Sequence, residues 1–369
     1  MFSMFFGAGN VIFPLAIGQY AGDQNFLAIL GLLITAVLMP FAGVFAMILF
    51  DGDQHGFFGR LGKMPGFLLA LLVITLLGPL GSTPRCIALT YSTLKSSFPA
   101  LSLIPFSASA CVLIFLLTFR KNQILRILGW GLTPILLLFL GIIVGIGIFT
   151  PSTGQAQNVP GNMFLHGLVE GYNTMDLLAA FFFSSTILAI LKERFSDNAG
   201  NRYIKICLQA SFIGASLLAL VYIGFSVVAA FHGHQLNFAS KDELLSALSI
   251  KLAGPYAGVL VCTTIALACL TTAVALISVF TDFFQKEVFK EQLSYKWTLV
   301  GALFVTFVVS TFEFTGISAF LGPILQICYP GLIVLTFCNI MYKLTGFTPV
   351  KLPVLATFVA SIVVYVLQK

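Results

Sequence analysis

FFGAGNVIFP, residues 5–14, lies inside an apolar run. Two glycines and an asparagine interrupt what would otherwise be a good membrane helix. A polar or uncoiled segment in hydrocarbon must be buried in protein or line a cavity. The reading of this chain turns on what Gly7, Ala8, Gly9 and Asn10 face where water is absent.

The rest of the chain places them in a bilayer. Its 369 residues are 59% hydrophobic and 9% charged, with a mean hydropathy of +1.02. Soluble domains are about 25% charged. The apolar runs are solid for about twenty residues, as in LAILGLLITAVLMPFAGVFAMILF (27–50). Barrel strands would instead alternate over about ten. The sequence therefore describes an all-helical, polytopic membrane protein.

Taking about 20 residues to cross about 30 Å, eleven segments qualify. They run 1–20, 27–50, 67–94, 101–119, 125–150, 167–191, 204–231, 253–283, 295–313, 318–342 and 352–368. Basic residues test the count. With the N-terminus cytoplasmic, fourteen of the nineteen Lys and Arg fall in inside loops. Only Lys95, Lys241, Lys251 and Lys369 fall outside, and Arg85 lies within a span. That asymmetry follows the positive-inside rule. No basic leader or cleavage site precedes the first segment, which reads as a retained span. It starts at Met1 and the last ends at Lys369, so the chain reads as shortened at both ends or started late.

Five stretches interrupt the spans. They are Gly7–Asn10 closed by Pro14, VEGYNTMD (169–176), GPLGSTPR (78–85), CLTTAVALIS (269–278) and LGPILQICYPG (321–331). The first two fall in spans one and six. Breaks in corresponding helices of two halves mark the site of an inverted-repeat transporter. Uncoiled carbonyls can hold a cation there, and half-helix N-termini can hold an anionic group. Asn10 would add an amide oxygen. The competing reading is a small-residue helix contact at Gly7 and Gly9, with Asn10 bonded to a neighbouring helix.

Ionisable groups inside spans are functional candidates. Glu170 and Asp176 read as binding groups or proton sites, with Glu170 alternatively solvated at the outer interface. Arg85 reads as an outer gate or as a side chain snorkelling to the surface. The seven cysteines form no CxxC pair and read as small buried hydrophobes. His232 and His234 flank Gly233 in an outside loop without ligand-like spacing. An enzyme would need a nucleophile or metal motif, and neither HExxH nor GxSxG is present. A channel would assemble from fewer spans per chain.

Together, FFGAGNVIFP, GPLGSTPR, EGYNTMDLLAA and ACLTTAVALIS resemble the branched-chain amino-acid–cation symporters of bacteria, the transport system II carriers. The resemblance runs from about residue 2 to about 345. It implies the five-plus-five inverted-repeat fold of amino-acid–polyamine–cation transporters, similar to the leucine transporter. Repeat one would span about 1–150, repeat two about 162–345, and an accessory helix about 352–368. The family usually has twelve spans and more residues before the first motif.

The resemblance implies a carrier in the bacterial cytoplasmic membrane that imports leucine, isoleucine and valine with sodium, and no cofactor. Proton coupling, or other neutral amino acids, is the alternative. Sodium would sit between backbone oxygens near Ser3 and Phe6 and the hydroxyls of Thr271 and Thr272. The threonines could instead bond carbonyls of their own helix. The substrate carboxylate would take N–H groups of Gly7–Gly9, and its ammonium the carbonyls of Tyr172, Asn173 and Thr174. Asn173 is the better candidate for direct contact, with Asp176 deeper in a structural or binding role. Phe182 or Phe183 would line the pocket for the branched tail. Arg85 and Glu170 are the candidate gate residues.

Overall fold

The computed structural model describes residues 2–96, 98–119, 133–150, 161–194, 202–233 and 241–367. Among these there is no strand. In lipid a backbone must satisfy its own polar groups, and an unbroken helix does so within one segment. Side chains sort by the same solvent. Phe26, Phe149, Trp297 and Leu367 are exposed, whereas Asn10, Arg85, Asp176 and Asn339 are buried. An apolar exterior around polar side chains is what a hydrocarbon solvent selects.

Each of the eleven segments contains a helix. The first is broken into α1 (Phe2–Phe5) and α2 (Ala8–Ala21). The second consists of α3 (Asn25–Leu33) and α4 (Met39–Leu49), joined by a π turn over Ile34–Leu38. A loop helix follows, α5 (Gln54–Gly59). The third is broken into α6 (Lys63–Leu77) and α7 (Ser82–Lys95). Next come α8 (Leu103–Phe119) and α9 (Thr133–Phe149). The start of the fifth segment, with Arg120, Lys121 and Arg126, lies outside the described residues.

The sixth segment is broken into α10 (Met163–Tyr172) and α11 (Asp176–Arg194), bent by 40°. The rest are α12 (Arg202–His232), α13 (Leu244–Phe283), α14 (Tyr295–Ser310), α15 (Glu313–Thr345) and α16 (Lys351–Leu367). Among the described residues, five helical stretches are long and apolar enough to cross a membrane, six with the bent pair counted as one; the remaining apolar helices are shorter.

Two of the five expected interruptions are absent. α13 runs through 269–278, and α15 runs through 321–331 with Pro323 and Pro330 inside it. In the first, Thr271 bonds a carbonyl of its own helix, while Thr272 turns its hydroxyl out toward α1 without interrupting the backbone. The kink in α13 falls at Gly254, where φ is 77°. The breaks that do occur are narrower than expected. Asn10 and Pro14 lie inside α2, and Glu170, Gly171 and Tyr172 lie inside α10.

Packing across the two halves is reciprocal. α2 packs on α12, while α11 packs on α4 and α10 on α3. Thus the broken first span leans on the seventh, and the broken sixth leans on the second. Small residues permit the approach. A Cβ on Gly18 would meet the Ser226 carbonyl oxygen at 2.0 Å, and one on Gly167 would meet that of Ala28 at 1.9 Å. Thr35, in the π turn, donates to the Leu168 carbonyl (2.9 Å), which ties the second span to α10.

The loop carrying α5 is held at several points. Asp51 pairs with Lys192 (2.7 Å) and accepts from the Tyr203 hydroxyl (3.1 Å). Ser185 donates to the Gly52 carbonyl, and His55 bonds Glu287 (2.8 Å). Arg60 lies over the Tyr342 ring (3.9 Å) and donates to the carbonyls of Cys338 (3.2 Å) and Thr348 (2.8 Å).

Candidate substrate and ion site

The breaks in the first and sixth spans touch. A Cβ on Gly9 would lie 3.1 Å from Thr174 Cα, 3.2 Å from its oxygen and 3.4 Å from the Asn173 oxygen. A side chain there would push the two backbones apart by a few tenths of an ångström, and glycine lets them meet without that shift. Gly7 approaches α13 in the same way, with a Cβ reaching Thr272 Cγ2 at 3.0 Å.

Asn10 links the breaks chemically. Its Oδ1 accepts the Gly7 N–H (3.0 Å), satisfying a donor at the start of α2. Its Nδ2 donates to both carboxylate oxygens of Asp176 (2.9 and 2.8 Å) and contacts the Tyr222 hydroxyl. Tyr222 in turn donates to Asp176 Oδ2 (2.8 Å). The acceptor-only carboxylate dictates the orientation, since the amide must turn its NH2 toward Asp176. The amide oxygen therefore faces Gly7, which also occupies one of the N–H groups expected to meet the substrate.

Asp176 is buried and opens α11. Among the described residues no cationic side chain pairs with it. Its neighbour Leu177 donates its N–H to the Tyr329 hydroxyl (3.0 Å). Tyr329 stacks on Tyr172 with ring centroids 4.7 Å apart. The turn between α10 and α11 is strained. Met175 has φ 64°, a region a side-chain-bearing residue occupies only when its surroundings hold it there.

The oxygen cluster at the end of α1 matches the expected ion ligands in part. Thr272 Oγ1 donates to the Phe6 carbonyl (2.9 Å) and reaches the Ser3 carbonyl (3.4 Å). Thr271 instead donates to Ala268 in its own helix (2.7 Å).

A small cavity joins these groups. It is lined by Gly7, Ala8, Gly9, Asn10, Thr174, Asp176, Arg85, Thr272 and Phe183, with Ser82, Met175 and Leu77 added. Its free volume is about 30 Å³, room for about two waters. Tyr172 and Asn173 lie beside it. The Tyr172 carbonyl accepts the Met175 N–H (3.1 Å), and the Asn173 side chain donates to Glu170 (3.1 Å). Phe182 stacks on Phe58 and meets Phe283 edge-on, away from the cavity lining.

Arg85 and Glu170 depart from their surface readings. Glu170 is buried and paired with Lys241 (2.9 Å). Arg85 is 2% exposed, so it does not snorkel. Its Nη1 donates to the Asn173 carbonyl (2.9 Å), and its guanidinium lies 5.6 Å from the Phe13 and Phe314 rings. The cysteines are all buried and free. His232 is buried and bonds the Gly147 carbonyl (2.8 Å); His234 lies outside the described residues.

Tyr222 and Tyr329 were not legible in advance, and Ser82 and Met175, though inside two of the interrupted stretches, carried no role of their own. No motif separates two tyrosines from ten in the chain. Only the demand of the buried Asp176 carboxylate for donors could have flagged Tyr222.

Two helices broken side by side around a buried polar cavity define a membrane transporter. The fold agrees. Over 99% of this chain and 90% of the other, the structure is similar to Mhp1, a nucleobase-cation-symport-1 family transporter in a closed conformation with bromovinylhydantoin bound (TM-score 0.54, 15% identity). The chain thus has the five-plus-five, leucine-transporter-like fold.

Residues 1–368 match the family described as branched-chain amino acid transport protein, and the chain belongs to that family. It is 32% identical over 357 residues to the branched-chain amino acid permease BrnQ of Bacillus subtilis (strain 168), covering 93% of this chain and 80% of that one. It is 31% identical to the permease BrnQ of Corynebacterium glutamicum, at the same coverage. To the branched-chain amino acid transport system 2 carrier protein of Pseudomonas aeruginosa it is 29% identical, over 93% of this chain and 79% of the relative.

Proposed function

We propose that this chain is a sodium-coupled symporter that imports leucine, isoleucine and valine across the bacterial cytoplasmic membrane by alternating access. The observation that carries the reading is the convergence of Thr272 Oγ1 with the Phe6 and Ser3 carbonyls at the end of α1. The last carbonyls of a helix lack partners within it, and a hard cation prefers such oxygens. Sodium would bind there, with Thr271 turning its hydroxyl inward to complete the set.

The substrate would lie across the two breaks. Its ammonium meets the Asp176 carboxylate, beside Asn10 and Thr174, and the N-terminus of α2 at Ala8 and Gly9 faces its carboxylate. Phe183 and Leu77 supply apolar wall. The two repeats are about 1–150 and 162–345, with an accessory helix at about 352–368, and the N-terminus is cytoplasmic. Their reciprocal packing supports this division. Glu170, clasped by Lys241, and Arg85, on the Asn173 carbonyl, close the outer side. A cavity of about 30 Å³ is too small for leucine, so a substrate enters only when one side opens.

The unpaired carboxylate of Asp176 favours one second reading, coupling to a proton carried on that group. Leucine uptake into vesicles decides between them. Sodium coupling predicts accumulation under an inward sodium gradient and none in choline with a proton gradient alone. Equal uptake in choline would replace sodium by the proton. No uptake of any branched-chain amino acid under either gradient would remove the substrate assignment.

A further inference from the structure

Among the described residues, Arg85 is the buried cation with two hydrogen-bonding nitrogens left without a partner. It lies on α7, immediately after the break in the third span, and lines the central cavity. Only Nη1 is fully engaged, with the Asn173 carbonyl at 2.9 Å and Met175 Sδ at 3.6 Å. Nε and Nη2 are buried and find no hydrogen-bond partner among the described residues. No carboxylate of the described residues forms an ion pair with the guanidinium. Glu170 is engaged by Lys241 and Asn173, and Asp176 by Asn10 and Tyr222.

Leaving a buried charge uncompensated is costly, and an orphaned buried donor forfeits its hydration without return. The orphaned pair is also specific. Nε–H and Nη2–H point from one edge of the planar guanidinium, and that edge matches the two oxygens of a carboxylate in a bidentate bond. No described residue fills that edge, and the ligand that suits it is anionic and fits a cavity whose other charge is the carboxylate of Asp176. A zwitterion satisfies both charges at once.

We propose that Arg85 is the carboxylate-binding residue of the central cavity, taking the substrate's α-carboxylate on Nε–H and Nη2–H while Nη1 stays on the Asn173 carbonyl. This rests on the substrate reading above and reassigns one contact within it. The Gly7 N–H is committed to Asn10, so the break in the first span supplies fewer donors than its backbone suggests. Arg85 supplies the charge. Since Nη1 holds the turn between α10 and α11, carboxylate binding also couples the third span to the sixth.

The test is competition against radiolabelled leucine on the purified full chain, with 3-methylbutylamine, which is leucine without its carboxylate, as the comparison. Wild-type protein is expected to prefer leucine strongly. In R85Q that preference should fall by about 30-fold or more, as expected when one partner of a buried charge pair is truncated. R85K keeps the charge and loses the planar edge, so it should retain part of the preference, about tenfold below wild type. A purely structural Arg85 would lower the amount of active protein and leave the leucine-to-amine ratio unchanged, which overturns the proposal. If R85Q does not accumulate, an unchanged ratio in R85K overturns it equally.

Replacing chloride by gluconate separates the two sources of an anion. Wild-type binding that requires chloride, lost in R85K, would assign Arg85 to a free anion and remove the substrate. Wild-type protein that binds neither leucine nor the amine would sink the substrate reading itself, and this assignment with it.

Discussion

Replacing Gly9 by alanine tests the contact on which the site depends. The added Cβ would sit 3.1 Å from Thr174 Cα and 3.2 Å from its oxygen. Both are backbone atoms, so no side chain can swing away. Forcing an extra carbon into a packed contact costs about 1–3 kcal/mol. Against this, alanine for glycine in a helix gains about 0.4–1 kcal/mol from the unfolded state. The difference is a net penalty of up to about 2.6 kcal/mol on the arrangement with the breaks in contact, or up to about 80-fold in its population. Leucine transport by G9A should fall within that range, and G9L should abolish it. The control is Gly301→Ala, where a Cβ meets nothing within 4 Å; transport there should be unchanged and stability equal or slightly higher. The assay is initial uptake rate per folded transporter, with folded protein measured by gel filtration in detergent. Wild-type uptake by G9L would refute the reasoning.

The two threonines and a tyrosine give sharper assignments. Thr272→Val should raise the sodium concentration for half-maximal uptake about tenfold, the worth of one hydrogen bond to a charged group. Thr271→Val should shift it less, because that hydroxyl is bonded within its own helix; the reverse order would exchange their roles. Tyr222→Phe removes one donor from the buried Asp176 carboxylate and should weaken leucine binding about tenfold, since an unsatisfied buried group costs about 1–3 kcal/mol. Unchanged leucine affinity in Tyr222→Phe would detach Tyr222 from the site.

The breaks in spans one, three and six could be read from sequence because glycine and asparagine crowd into runs that are otherwise apolar. CLTTAVALIS looked similar but is continuous helix, since a threonine hydroxyl can return to its own backbone at no structural cost. Proline misled in the same direction. Pro14, Pro323 and Pro330 all lie inside helices, where packed neighbours absorb the lost hydrogen bond. Gly9, Asn10, Thr174 and Asp176 do meet in one cavity, and their clustering was foreseeable from matched breaks. That Asn10 turns its oxygen toward Gly7 and its amide toward Asp176 was not, because the choice depends on a carboxylate 166 residues away. Nor could Arg85 be placed, as a span position near an interface serves a snorkelling cation and a buried one equally.

The short loop helix α5 has a mechanical consequence. Its segment fastens α11, α12, the π turn that follows α13 (Phe284–Val288) and α15 by way of Lys192, Tyr203, Glu287 and Cys338. Four rods buckled to one clip cannot swing apart one after another. Release on that face would come as a single concerted event, and since exposed charges make up much of the buckle, dissolved salt would set how readily it undoes.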